Sequence, residues 1–426
     1  MNTSAGILSP AARSEWRLGW HSVLVAGIGS ATGPAFYQYV SSLFIPSIEA
    51  SFGWSRADTT AVAAIPFIGA FSAPLIGRLA DRYGIRLVAS ICIVMVGLSY
   101  IGLMLTSGAF WQIAGLMVVL GLFAPGATGL TYGRAVVSWF NRGRGLAIGI
   151  TTSVITIFTA ALAPAIATII AEHGFRAGNA VLASLILLVG LPVILLGLKE
   201  RDTPVAEQSR PAPPKGNGAG FLALSRQPQF RLLAVTLLIL NIPTGGVLTQ
   251  LGPLVISRGI AADQAGFMLS LYAASVLVGR LVIGWLFDKY PAQRVTAVAT
   301  LIAAFGCVAF TSAAPVAALF LGVLTVGLIQ GAETDINTYF VGRMFPHSEF
   351  SSVFGGILAS AMIGTAIGVI GFGQLFEASG DYDSAMLTSV ILLFVAAGLF
   401  LMLAPYMSRT TFEPDDSDGT AQTAAD

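Results

Sequence analysis

Long apolar stretches separated by short polar ones run the length of this 426-residue chain. Twelve of them reach the roughly 20 predominantly apolar residues that a helix needs to cross a bilayer core of about 30 Å. Their spans are 20–46, 58–80, 86–107, 110–134, 145–172, 177–198, 229–256, 265–287, 293–313, 315–341, 351–376 and 384–407. Lipid offers no partner to a backbone N–H or C=O, and the runs lack the alternation of barrel strands, so they predict helices. Residues 1–19 are mixed polar, and the first run is too long for a secretory signal core. Between the sixth and seventh runs, "KERDTPVAEQSRPAPPKGNGAG" is rich in Pro, Gly and charge. The pattern therefore predicts an all-α integral membrane protein with an N-terminal segment (1–19), a six-helix bundle (20–198), a linker (199–228) and a second six-helix bundle (229–407). The tail, 408–426, is short, acidic and expected to be disordered.

Composition agrees with the pattern. Hydrophobic residues make up 55% and charged residues only 10% of the chain, against roughly 25% charged in an ordinary soluble domain. The formal net charge is +1 and no basic tract points to nucleic acid. Cys92 and Cys307 lie inside apolar runs and the three histidines are scattered, so neither a disulfide nor a metal framework is indicated. "GNGAG" (216–220) lacks the Lys and the strand-to-helix setting of a phosphate loop. No enzyme chemistry and no cofactor are expected, and any transport would be driven by a gradient.

The placement of Lys and Arg sets the expected orientation. With both termini and the linker cytoplasmic, eighteen of the 22 basic residues fall on that side, and only Arg56, Arg176 and Arg258 on the other. Arg280, inside the eighth run, belongs to neither.

An internal repeat connects the halves. "GRLADRYG" (77–84) matches "GWLFDKYP" (284–291), with Gly77 on Gly284 and Asp81 on Asp288, at an offset of 207. "WFNRGRGLAIG" aligns more weakly with "MFPHSEFSSVFGG" at 205 to 206. Two matches at nearly one offset imply a duplicated unit, and an even number of helices per unit relates the halves by an axis along the membrane normal.

These features resemble the major facilitator superfamily. Its signature between helices 2 and 3 is met by Gly77, Leu79, Ala80, Asp81, Arg82, Gly84 and Arg86. "SLFIPSIEASFGWSRADTT", "NRGRGLAIGI" and the "GR" before Gly284 further resemble the bacterial branch of the monocarboxylate transporters. The resemblance implies a secondary transporter that rocks two bundles about a central site, commonly moving a small carboxylate with a proton. It also implies an arginine in helix 8. Animal members often add an aspartate one turn earlier and a lysine in helix 1, whereas this chain has Val276 and "FYQY" (36–39) there.

A charge at the bilayer centre costs roughly 2.5–3.5 kcal/mol on insertion scales, so Arg280 must face a cavity or a partner. Its planar guanidinium suits a carboxylate, bidentate and charge-assisted. The alternative is a purely structural pair with an acidic residue of another helix. In "GLIQGAETDINTYFVGR" (327–343), Gln330, Glu333 and Asn337 fall on one helical stripe, at a depth matching Arg280. Glu333 is thus the expected partner and proton-coupling group, with a permanent Arg280–Glu333 bridge as the competing reading. Asp335 points to a nearly opposite face and is assigned to an inter-helix or gate contact, with a second possible part in proton coupling.

Tyr37, Gln38 and Tyr39 in helix 1, and Tyr132 in helix 4, are candidates to close over a substrate or to serve as interfacial anchors. Asn241, Thr244 and Gln250 lie in "NIPTGGVLTQ", where Pro243 and two glycines can form a hinge or the polar groups can bond between helices. In the paired loops, Asp81 and Asp288 are expected to cap the next helices while Arg82, Arg86 and Lys289 bridge to neighbours. That gate would be made in one transport state and broken in the other. The expectation is a monomeric secondary transporter in a bacterial inner membrane, carrying a small organic anion, aliphatic or aromatic, by proton symport. Proton-antiport efflux of amphipathic compounds and anion exchange are the alternatives.

Overall fold

A computed structural model describes residues 10–140, 144–199, 225–287, 289–345 and 350–407, and among them every regular element is helical. Among the described residues, nine stretches are long and apolar enough to cross a membrane. One of these, Leu146–Gly197, holds two spans, because Gly174 at φ 78° breaks the helical path and turns the chain back. Ala292–Val308 is a shorter apolar helix, and the first span is divided into pieces. Together they make the twelve spans.

The first span begins at Pro10, ten residues before the apolar run, because proline at a helix start sacrifices no hydrogen bond. It runs as Pro10–Ala31, breaks at Gly33, and resumes as Pro34–Val40, a 3₁₀ turn Ser41–Leu43, and Phe44–Phe52. The second span contains Arg56–Ala64, a 3₁₀ turn Ile65–Ile68 and Gly69–Tyr83. The fourth has Phe110–Phe123, a 3₁₀ turn Ala124–Ala127 and Gly129–Trp139. Pro34, Pro66 and Pro125 sit at these breaks, where a missing N–H prevents the regular ladder. The breaks also touch. A Cβ on Gly33 would fall 2.7 Å from the Ala127 carbonyl oxygen, and one on Gly121 would fall 2.8 Å from Pro66 Cα.

The second half is more regular. Pro228–Ser257, Ala265–Phe287, Ala318–Met344 and Phe350–Ser379 run without interruption. The helix continues through Pro243, so "NIPTGG" is not an opened hinge; Gly245 instead packs against Thr365 of the eleventh span. Packing repeats between halves: spans 1 with 5, 2 with 4 and 3 with 6 correspond to 7 with 11, 8 with 10 and 9 with 12. Spans 5 and 8, and 2 and 11, join the two bundles. Residues 200–224 of the expected linker and the tail 408–426 lie outside the described residues.

Candidate functional site

Spans 8 and 10 meet backbone to backbone. Gly327 and Gly331 on span 10 face Tyr272, Ser275 and Val276, while Gly279 on span 8 faces the Leu328 carbonyl. Small residues four apart permit this close approach. Asp335 continues the Gly327, Gly331 face by one more turn and therefore looks at span 8. There its Oδ2 lies 3.6 Å from Arg280 Nε. The arginine's carboxylate partner is thus Asp335, not Glu333. The pair is loose: 3.6 Å exceeds hydrogen-bond length, and Nε is buried without an acceptor. Arg280 Nη1 donates to Thr152 Oγ1 at 2.6 Å, reaching span 5 of the other bundle.

Glu333 turns the other way, into a cavity of about 240 Å³ between the bundles. Its Oε2 accepts from Gln330 Nε2 at 2.5 Å. Asn241, Thr249, Thr365 and Gln38 complete the polar wall. Asn241 donates to the Leu237 carbonyl and accepts from Thr365, which fixes its amide. The Gln330 Oε1 atom is buried without a donor. Tyr39 stands within electrostatic reach of both Arg280 and Glu333. Arg280 thus pairs with Asp335 while Glu333 bonds to Gln330.

The remaining predicted residues divide. Gln38 lines the Glu333 cavity and an adjoining one of about 370 Å³, which Tyr37 also lines. The Tyr37 hydroxyl points towards Met117 Sδ, 4.0 Å away. Tyr132 is fully buried inside the first bundle, its hydroxyl unpartnered and its ring against Gly29. Asn337 is buried, its Oδ1 lacks a partner, and it lines neither cavity. Thr152 and Thr365 were not singled out by the sequence; their hydroxyls are common enough in spanning helices to carry no signal alone.

In the paired loops Asp81 does not follow a helix: it lies in the last turn of Gly69–Tyr83. The next helix starts after Gly84, whose φ of 88° makes the corner and which has no side chain to cap with. The corner is thus a glycine turn, Gly77 has open space around it, and the capping expected of Asp81 falls on a side chain outside the described ones. Arg82 and Lys289 are exposed and lie over their own neighbours' rings, Tyr83 at 5.3 Å and Trp285 at 3.9 Å. Arg86 Nε donates to the Leu198 carbonyl at 2.8 Å, tying span 3 to span 6. Asp288 falls outside the described residues.

The opposite end holds a cluster that sequence reasoning missed. "FGWSRAD" makes a glycine-ended helix, then a Ser55 cap that accepts from Asp58 N at 3.1 Å and places Arg56 in the first helical turn. Arg56 pairs bidentately with Glu49, with Nη2 to Oε2 at 2.8 Å, and donates to Tyr382 and to Gln250. Tyr382 in turn donates to Gln250 Oε1 at 2.8 Å. The Arg56 guanidinium also lies 4.5 Å from the Phe376 ring centre, and Ala57 N donates to Glu377 at 3.0 Å. Burial raises the Tyr382 phenol well above its usual pKa, against the opposing pull of Arg56, so it remains a donor. Beside this cluster a Cβ on Gly252 would fall 2.8 Å from the Ser42 carbonyl. The two bundles are thus locked together at this end.

Two half-chain bundles around a polar cavity fit the sequence comparisons. A family profile described as Major Facilitator Superfamily matches residues 28–336 and, in a second alignment, 251–423. The chain belongs to that superfamily. This transporter is similar to monocarboxylate transporter 13 of Bos taurus, 25% identical over 410 residues that cover 93% of this chain and 90% of the other. It is also similar to monocarboxylate transporter 11 of Mus musculus, 26% identical, covering 85% and 77%. Among solved structures, a bacterial homologue of the human lysosomal transporter Spinster, in an inward-facing and occupied conformation, superposes with a TM-score of 0.71 at 14% identity, over 96% of this chain and 100% of that one. A D-xylose–proton symporter gives 0.68 at 16%, over 89% and 97%. These structural likenesses carry the fold alone.

Proposed function

We propose that this transporter moves a small organic anion, most simply a monocarboxylate, together with a proton, by alternating access between the two bundles. The observation that carries the reading is Arg280: a deep guanidinium held loosely by Asp335, with one N–H lacking an acceptor. A buried donor without a partner costs about 1–3 kcal/mol, and an incoming carboxylate relieves that cost. Asp335 takes the place of the helix-8 aspartate that this chain replaces by Val276. Protonating Asp335 frees the guanidinium for the anion, and losing the proton recaptures it. Glu333, beside Gln330 and Asn241 in the cavity, is the second proton-accepting group. The similarity to monocarboxylate transporters supports the substrate class.

The Lys and Arg bias supports a cytoplasmic side for the paired loops and both termini, in what we take to be a bacterial inner membrane. The Arg56 cluster is then the outer gate, closed in this conformation, and the paired loops form the inner gate, with Asp81 and Asp288 among its residues. The cavity lies within one chain, so a monomer suffices. Uptake of a panel of labelled carboxylates into proteoliposomes, with and without an inward pH gradient, tests the proposal. Gradient-dependent accumulation that disappears in Arg280→Leu is expected; accumulation only of cations or neutral compounds refutes it.

A further inference from the structure

The three proline breaks of spans 1, 2 and 4 converge on the cavity of about 370 Å³, with Pro34, Pro66 and Pro125 in its wall. Broken helices at membrane depth expose carbonyl groups and are tolerated only where those groups find partners or line a water-filled space. Here the hydroxyls supply the partners. Thr128 and Thr131 both donate to the Pro125 carbonyl at 3.0 Å, and Ser72 donates to the Leu122 carbonyl at 2.8 Å. Ser41 and Thr249, on the same wall, donate to carbonyls of their own helices. The hydroxyls around the breaks are thus consumed by backbone, and apart from the Gln38 amide and the Tyr37 hydroxyl the remaining side chains present methyl, methylene and ring groups such as Ala70, Phe67 and Leu120. At about 30 Å³ per water, the space equals roughly a dozen waters, far more than the body of a two- or three-carbon acid. It adjoins the Glu333 cavity through Gln38, Phe67, Thr249, Leu358 and Met362.

We infer that the substrate is an amphipathic carboxylate whose apolar body, an aromatic ring or a medium alkyl chain, occupies this compartment in the first bundle while its carboxylate is handled by the second. The inference rests on the carboxylate reading above and adds the body and its place. Short acids then bind weakly because they leave the compartment wet. Isothermal titration of the full chain in nanodiscs with acetate, butyrate, hexanoate and octanoate, and with 1-octanol as a headgroup control, tests it. The dissociation constant is expected to fall about fourfold per added methylene from butyrate to octanoate. Octanol is expected to bind at least tenfold more weakly than octanoate. Ala70→Leu, which fills the compartment, flattens the upper end of the series, and if that variant does not fold the wild-type series decides alone. A flat series in which butyrate binds as tightly as octanoate overturns the inference and leaves the carboxylate reading intact. Octanol binding as tightly as octanoate, or no acid binding to folded protein, overturns both.

Discussion

Asp335→Asn isolates the competition between an internal carboxylate and an external one for Arg280. At 3.6 Å, two unit charges at an effective dielectric of about 20 attract by about 4–5 kcal/mol. Both side chains are partly open, at 21% and 39%, and screening reduces this to about 2 kcal/mol. That is the advantage an incoming anion must overcome while Asp335 is charged. The amide keeps the shape and removes the charge, so anion affinity at pH 8 should rise by roughly 30-fold. At a pH low enough to protonate Asp335 the wild type should match the variant. The same change should abolish proton-driven accumulation and preserve substrate exchange, because the guanidinium no longer needs a proton to become available. Titration calorimetry of the purified protein at pH 5 and pH 8, paired with uptake and exchange in proteoliposomes, reads both effects. Weaker binding in the variant, or a pH dependence equal to that of the wild type, would refute the reasoning.

Glu333→Gln should retain exchange and lose most accumulation driven by a pH gradient, measured by comparing the two assays in the same vesicles. Tyr382→Phe deletes hydroxyl bonds to Arg56 and Gln250, about 2 kcal/mol in all, and should shift the population towards opening at the Arg56 end. A cysteine at Thr60, buried beneath Gly373, would then react faster with an impermeant maleimide, the native Cys92 and Cys307 being buried and silent. Gly279→Ala sets a methyl against the Leu328 carbonyl, should cost about 1–3 kcal/mol by forcing spans 8 and 10 apart, and should lower the melting temperature in detergent.

The spans were legible because lipid makes the demand on the backbone absolute, and the duplication was legible because the loop at Gly77 survives in its copy at Gly284. The start at Pro10 was not, since the first turns stand outside the apolar pattern and rest on Pro10 at the helix start, not on lipid. Arg280 announced itself by the cost of its charge. Its partner did not, because the identity of the facing carboxylate depends on which side of span 10 turns to span 8. Gly327, Gly331 and Gly279 decide that, and reading them as a contact face puts Asp335 in the right place. The Arg56 cluster joins residues 326 positions apart, and neither partner carries a local pattern that names the other. Asp81 was misplaced by a single turn, because the stopping point of a helix before a glycine is set by where the chain must bend.

The proline breaks and their hydroxyl stitching lie wholly in the first bundle, whereas Arg280, Asp335 and Glu333 stand on unbroken helices of the second. Under the proposed mechanism the two pseudo-symmetric halves therefore divide the work, one as a mould and the other as an engine. On that reading, reshaping the wall around Ala70 or Leu120 would alter which cargo fits without touching the residues proposed to take the proton. A lineage could then exchange one cargo for another by a few substitutions in the mould, with the proposed coupling residues unchanged.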